Sequence, residues 1–123
     1  MNKVFLYAAK DSTAYRQVEE YLTNMSFNGK LIILPPGSQF SSTLCLQLRS
    51  NDLFVLFAAN NEEIDELVAL HDEYECFKII LIVKDEEQTA RNTFTLLSPR
   101  LISYLDNSID DVGKYLVNIF KKS

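Results

Sequence analysis

The amino-acid sequence predicts an α/β fold in which helices cover both faces of a parallel sheet. Five short apolar segments alternate with five amphipathic ones, and two of the apolar segments contain almost no polar residue. Such alternation is typical of strands joined by crossover helices, and strands covered on both faces are apolar throughout. We therefore expect a three-layer, doubly wound sheet of five parallel strands with five helices.

The strands are predicted from apolar runs bounded by turn-forming residues. The third and fourth runs are the most continuously apolar, which places them at the centre of the sheet. The predicted strands are Lys3–Ala8, Lys30–Leu34, Leu53–Ala58, Phe77–Val83 and Leu101–Leu105.

The helices are predicted from apolar residues spaced three or four apart, which form one face of a helix. Three stripes are strong: Tyr15, Val18, Leu22 and Met25; Ile64, Leu67, Val68 and His71; and Ile109, Val112, Leu116, Ile119 and Phe120. Two are weaker: Phe40, Leu44 and Leu48; and Ala90, Phe94 and Leu97.

Capping pairs mark the predicted helix starts, because a polar side chain is followed three residues later by a reciprocal acceptor. These pairs are Asn60 with Glu63, Asp85 with Gln88, and Ser108 with Asp111. Short connections and right-handed crossovers then favour the flavodoxin-like strand order 2-1-3-4-5.

Length and composition predict one globular domain over residues 1–123. Hydrophobic residues make up 47% of the chain and charged residues 24%, and the net charge is −5. This charge disfavours nucleic acid and anionic membranes as partners, because both require clustered cations. The longest apolar run, Leu53 to Ala59, is too short to span a bilayer and the N-terminus lacks a signal-peptide pattern, so we expect a cytoplasmic protein.

The cysteines and the histidine do not form a metal-binding pattern. Cys45 and Cys76 stand alone, without the spacing of a zinc site, and are expected to be buried thiols. His71 continues an apolar helical stripe and is expected at the edge of the core. No cofactor or metal is expected.

The carboxyl ends of the strands are where ligands bind in sheets of this kind. There the chain resembles the receiver (CheY-like) family over essentially its whole length, since Asp52-Leu53 opens the third strand and Tyr104 supplies an aromatic residue late in the fifth. The resemblance implies a signalling domain whose phosphoacceptor position is Phe57.

The residues that perform receiver chemistry are replaced at each expected position. Ala8 and Ala9 stand where the resemblance places the acidic pair that binds magnesium, and Phe57 replaces the acceptor aspartate. Val83, or Lys84 if the register shifts by one, replaces the switch hydroxyl, and Asn107 replaces the lysine. Phosphoryl transfer needs a metal and cationic neutralisation of the phosphoryl oxygens. The resemblance therefore implies a pseudo-receiver that recognises proteins without phosphorylation, and a homodimer is one form of such recognition.

The resemblance to receivers also implies a surface for a protein partner and a pocket filled by the protein's own side chains. Tyr and Arg are frequent in interface hot spots, and the candidate partner face contains Arg91, Phe94, Tyr104, Asp106 and Tyr115. An ion pair between Lys84 and Asp106 would fill the former phosphorylation pocket, and Lys10 is a second candidate for that role.

Other functions remain open on the sequence alone. With Tyr7 to Asp11 after the first strand, Gly37 in the second loop and Asn51 to Leu56 as the third strand, the chain also resembles Toll/interleukin-receptor (TIR) domains. Enzymatic members of that family use a glutamate to cleave NAD, and the resemblance makes Glu62, Glu63 and Glu66 the candidates here. A small-ligand or flavin sensor would use Ser12 and Thr13 at a helix N-terminus. An unusual metal site would draw on acids just past the strand ends, but acids in first helical turns are ordinarily structural; these acids are Asp11, Glu62, Glu63, Asp85 and Asp106.

Overall fold

Five parallel strands form one sheet in the computed structural model, which describes residues 3–25, 30–37, 53–69, 78–84, 95, 97–105 and 109–119. Their order is β2-β1-β3-β4-β5. This order confirms the predicted flavodoxin-like sheet. The strands are β1 (Lys3–Ala8), β2 (Lys30–Ile33), β3 (Leu53–Ala58), β4 (Lys78–Val83) and β5 (Leu101–Tyr104).

Two strands end one residue earlier than predicted, although their ladders continue for one more hydrogen bond. The Leu34 amide donates to the Leu6 carbonyl at 3.0 Å, and the Leu105 amide donates to the Val83 carbonyl at 2.8 Å. After Leu34 comes Pro35, which has no amide hydrogen with which to extend the strand. Phe77, the first residue predicted for the fourth strand, lies outside the described residues.

Three helices are described: α1 (Thr13–Asn24), α2 (Asn61–Ala69) and α3 (Asp110–Ile119). Ser12 caps α1, since its hydroxyl accepts a hydrogen bond from the Tyr15 amide at 3.0 Å. The weaker helices predicted around Phe40–Leu48 and Ala90–Phe94 lie outside the described residues, as do His71, Cys45 and Cys76. Leu97, from the second of those stripes, is buried.

Side chains alternate between two cores, one on each face of the sheet. The α1/α3 core includes Ala8, Tyr15, Val55, Phe57, Ile82, Val112 and Leu116. The α2 core, on the opposite face, includes Tyr7, Phe54, Ala58, Ile64, Leu67 and Val83. All six β3 side chains are buried, as expected of a strand covered on both faces.

Candidate functional site

A buried row of side chains crosses the carboxyl ends of β1, β3, β4 and β5 at the position of the predicted pocket. Ala8 pairs with Phe57, Phe57 pairs with Ile82, and Ile82 pairs with Ser103 across four adjacent strands. Ala8, Phe57, Ile82 and Ser103 all have 0% exposure. The Phe57 ring therefore lies in the α1/α3 core, with none of its surface exposed to solvent.

The sheet places Val83 and Ala9 on the opposite face from Ala8 and Phe57, although the sequence predicts all four in one pocket. Val83 pairs with Ala58 and Tyr104, and its side chain belongs to the α2 core. Ala9 also packs against the α2 core, whereas Ala8 and Phe57 belong to the α1/α3 core. Successive side chains in a strand point to opposite faces. The sheet thus divides the predicted pocket residues between its two faces.

The segment after β2 closes over the end of β1. The Gly37 amide donates to the Ala8 carbonyl at 2.9 Å, and Gly37 has φ of 75°. A Cβ at this position would lie 2.9 Å from the Ala9 carbonyl oxygen. Glycine is therefore required both by the left-handed backbone and by the close approach. This segment therefore packs against the backbone of Ala8 and Ala9.

Tyr15 lies in the same core as Phe57 and brings a hydroxyl into apolar surroundings. Its side chain is 2% exposed, and its Oη has no hydrogen-bond partner among the described residues. Burial, together with the negative charges of Glu19 and Asp11, raises the pKa of Tyr15 to about 12. The hydroxyl is consequently neutral across the physiological range and cannot serve as an anionic ligand.

Asp11, the first acid past β1, is held on the surface by a neighbouring cation. Both of its carboxylate oxygens accept from Arg16, at 2.9 Å from Nη2 and 3.3 Å from Nε. The hydrogen bond from Arg16 lowers the pKa of the Asp11 carboxyl. This fork arrangement uses the oxygens that a metal ion would need.

The glutamates proposed for NAD cleavage have structural contacts. Glu63 is 4% exposed and forms the predicted capping arrangement: its amide donates to Asn60 Oδ1 at 2.9 Å, and its Oε1 accepts from the Ala59 amide at 3.2 Å. Lys10 Nζ lies 3.4 Å from Glu62 Oε1 and 3.9 Å from Glu66 Oε1. The Glu63 carboxylate thus caps the start of α2, and the carboxylates of Glu62 and Glu66 lie beside Lys10.

Lys10 lies at the rim of the sheet and not among the buried residues of the predicted pocket. Its side chain is 52% exposed. The negative charge of Glu62 raises the pKa of the Lys10 ammonium, with a smaller contribution from Glu66. Lys84 is also exposed, directly after the buried end of β4. Asp106, its predicted ion-pair partner, lies outside the described residues.

The predicted partner face is described only in part. Tyr104 packs against the α2 core, whereas Tyr115 packs against the α1/α3 core. They therefore lie on either side of β5, which is an edge strand. Arg91, Phe94 and Asp106 of this face lie outside the described residues, as do Asn107 of the predicted pocket and Asp85 of the candidate metal set.

Within the described ranges, no group of three His, Cys, Asp or Glu side chains is arranged to hold a metal ion. The sequence did not predict the buried Tyr15 hydroxyl or the contact of Gly37 with β1. A glycine after two prolines marked a turn, but the element that the turn would touch depends on the tertiary fold.

Comparison with protein-family models gives no match, and comparison with curated proteins gives none either. Among solved structures, the chain is similar to the Mn²⁺-bound form of response regulator Rcp1, at 16% sequence identity and a TM-score of 0.48. The similarity covers 98% of this chain and 96% of that one. The strand order of this molecule itself identifies the flavodoxin-like fold. No helix among the described residues is long and apolar enough to cross a membrane.

Proposed function

We propose that this chain is a non-catalytic, receiver-like interaction module that recognises a protein partner independently of phosphorylation, in a regulatory pathway. The observation that carries the proposal is the burial of Phe57, which has 0% exposure and pairs with Ala8. A benzyl side chain has neither the nucleophilic oxygen nor the metal-binding oxygen on which phosphoryl transfer depends.

The surroundings of Phe57 support the same proposal. Ala8 and Ala9 contribute no carboxylate at the end of β1, and the Gly37 amide binds the Ala8 carbonyl. Asp11, the nearest acid along the chain, pairs with Arg16. Magnesium prefers an octahedral set of oxygens from carboxylates, carbonyls and water, and these contacts leave no such set around Phe57 in the part of the chain that is described.

Incubation with a phosphoryl donor tests the proposal. The full chain is treated with acetyl phosphate and Mg²⁺, and its intact mass is measured, with a phosphorylatable receiver domain as the positive control. We expect the control to gain a phosphoryl group and this chain to keep its mass. A stable phosphoryl adduct on this chain would overturn the proposal.

The NAD hydrolase alternative receives no support from the geometry. The Glu63 carboxylate caps α2, and Glu62 and Glu66 lie beside Lys10. We expect concentrated protein to release no nicotinamide from NAD. Release that disappears in a Glu62→Ala or Glu66→Ala variant would favour the enzyme instead.

A further inference from the structure

Two helices on one face of the sheet, α1 and α3, have an open groove between them. Its volume is about 590 Å³, and a second hollow of about 410 Å³ continues along the outer side of α1. Tyr21 and Met25 line both hollows. The groove is therefore extended along the helix and is large enough to receive side chains from another molecule.

Tyr21 fits against α3 because α3 carries a glycine where the two helices meet. The Tyr21 hydroxyl lies against Gly113, which is buried, and a Cβ on Gly113 would overlap it. One turn further along α3, Val117 is 48% exposed, although it is a large apolar residue. Glycine is less favourable than alanine inside a helix, so the close approach of Tyr21 is maintained at a cost to the helix.

The apolar lining comes from the C-terminal end of α1 and from one face of α3. Tyr21 lies in the last turn of α1 and Met25 is the C-cap residue, with extended backbone, whereas Gly113 and Val117 are four residues apart on α3. Residues four apart lie one above the other on a helix. The groove thus presents an apolar strip that is one turn of α3 long, which matches a pair of apolar side chains at positions i and i+4 of an incoming helix.

Acidic residues dominate the two helices that form the groove. Asp110 and Lys114 line the groove itself, and Glu20 lines the hollow beside it. Arg16 on α1 is already paired with Asp11. Across both helices the acids outnumber the bases: the acids are Glu19, Glu20, Asp110 and Asp111, and the bases are Arg16 and Lys114. A ligand with positive charge beside its apolar strip is complementary to this surface.

We propose that the groove between α1 and α3 binds an amphipathic helix of a protein partner, with apolar residues in the groove and basic residues facing Asp110 and Glu20. This proposal rests on the proposed function and names the kind of partner that the module would recognise. A second copy of the chain fits less well, because each copy carries a net charge of −5 and the same excess of acids on these two helices.

A peptide titration of the full chain tests the proposal. The probe is a designed helical peptide of about 20 residues, long enough to form a helix in water, with leucines at i, i+4 spacing and lysines on its polar face. We expect saturable NMR shift changes at Tyr21, Gly113 and Val117 and none at Ala8 or Phe57. A peptide of the same composition whose leucines are scattered around the helix is expected to bind about tenfold more weakly.

Two surface variants distinguish binding of the peptide in the groove from binding to any exposed apolar side chain. Val117→Lys is expected to weaken binding of the peptide about tenfold, since it places a cation in the apolar strip. Ile33→Lys is the matched control, because Ile33 on β2 is the other large apolar side chain that stays exposed among the described residues, at 39%. It is expected to bind like the wild type, and thermal unfolding verifies that both variants are folded.

Three results would overturn the groove proposal. These are equal binding of the scattered peptide, equal weakening by Ile33→Lys, and a concentration-dependent dimer that Val117→Lys dissociates without any peptide. The last result would assign the groove to a second copy. A phosphoryl adduct in the acetyl phosphate experiment with intact peptide binding would instead remove the proposed function alone, so the two failures are distinguishable.

Discussion

The carboxyl edge of the sheet and the groove between α1 and α3 both contact the α1/α3 core. They differ in the exposure of their side chains and in the charged residues beside them. At the edge, Phe57 and Ala8 have 0% exposure and Gly37 covers the backbone. In the groove, Val117 is 48% exposed, and charged residues line the opening. The difference indicates that these strand ends are packed into the fold, while the groove presents exposed side chains to solvent.

The largest expected effect is at Phe57. We expect Phe57→Asp to lower the free energy of unfolding by more than about 4 kcal/mol, because a carboxylate would be buried among apolar side chains. Val117→Asp, which puts the same group in the groove, should change it by less than about 0.5 kcal/mol. Urea denaturation measures both.

Phe57→Leu keeps this comparison informative if the aspartate variant does not fold. The smaller apolar side chain should cost about 1 to 2 kcal/mol, since it leaves part of the core unfilled. Wild-type stability of Phe57→Asp would show that the edge admits water and would contradict the contrast between the two regions.

The second effect concerns the two tyrosines and appears at alkaline pH. Burial raises the pKa of Tyr15 to about 12 from an ordinary 10.0, so its neutral form stabilises the fold below pH 10 and this stabilisation is lost as pH rises from 10 to 12. The complete loss amounts to about 2 to 3 kcal/mol. Tyr15→Phe should therefore lose less stability than the wild type over this range.

Tyr21→Phe is the matched control in the groove. Burial also raises the pKa of Tyr21, and the charge of Asp110 adds to the effect, but Tyr21 is only partly buried. Its removal should reduce the alkaline loss of stability less than removal of Tyr15 does. Equal pH profiles for Tyr15→Phe and the wild type, from chemical denaturation at several pH values, would show that Tyr15 is hydrated.

The third effect is at the glycine that covers β1. Gly37→Ala should cost about 1 to 3 kcal/mol, because alanine disfavours a φ of 75° and its Cβ would press on the Ala9 carbonyl oxygen. The thermal midpoint is the measurement. An unchanged midpoint would mean that the segment after β2 does not pack on β1 as described.

The smallest effect on stability is expected for the glycine in the groove. In Gly113→Ala the new Cβ displaces the Tyr21 hydroxyl, but alanine favours a helix interior by about 1 kcal/mol. The two effects oppose each other, so the net change should stay within about 1 kcal/mol. Binding of the basic peptide should nevertheless weaken, because the methyl group fills the groove. Unchanged binding would place the peptide elsewhere.

Local signals in the sequence were sufficient to predict the sheet and most of its boundaries. The β3 segment Leu53–Ala58 is apolar throughout, and a strand buried on both faces accepts only such a run. The capping role of Glu63 with Asn60 was also predicted, because the pair obeys a fixed spacing along the chain. These features depend on neighbours in sequence.

The features that the sequence did not reveal depend on contacts between distant segments. The placement of Val83 on the opposite face from Phe57 follows from the register of β3 with β4, which no local pattern specifies. The groove depends on Tyr21 meeting Gly113 across two helices. A glycine inside an otherwise regular helical stripe was the one signal that could have directed attention to it.

The burial of Phe57 and Ala8 at the carboxyl edge of the sheet is tested most directly by NMR titration of the full chain with Mg²⁺ and beryllofluoride, a mimic of the phosphoryl group. We expect the amide signals of Ala8, Ala9, Phe57 and Val83 not to move at saturating concentrations of both. Saturable shifts of those signals would show that the carboxyl edge binds magnesium or the phosphoryl mimic, and would contradict the closed packing around Phe57.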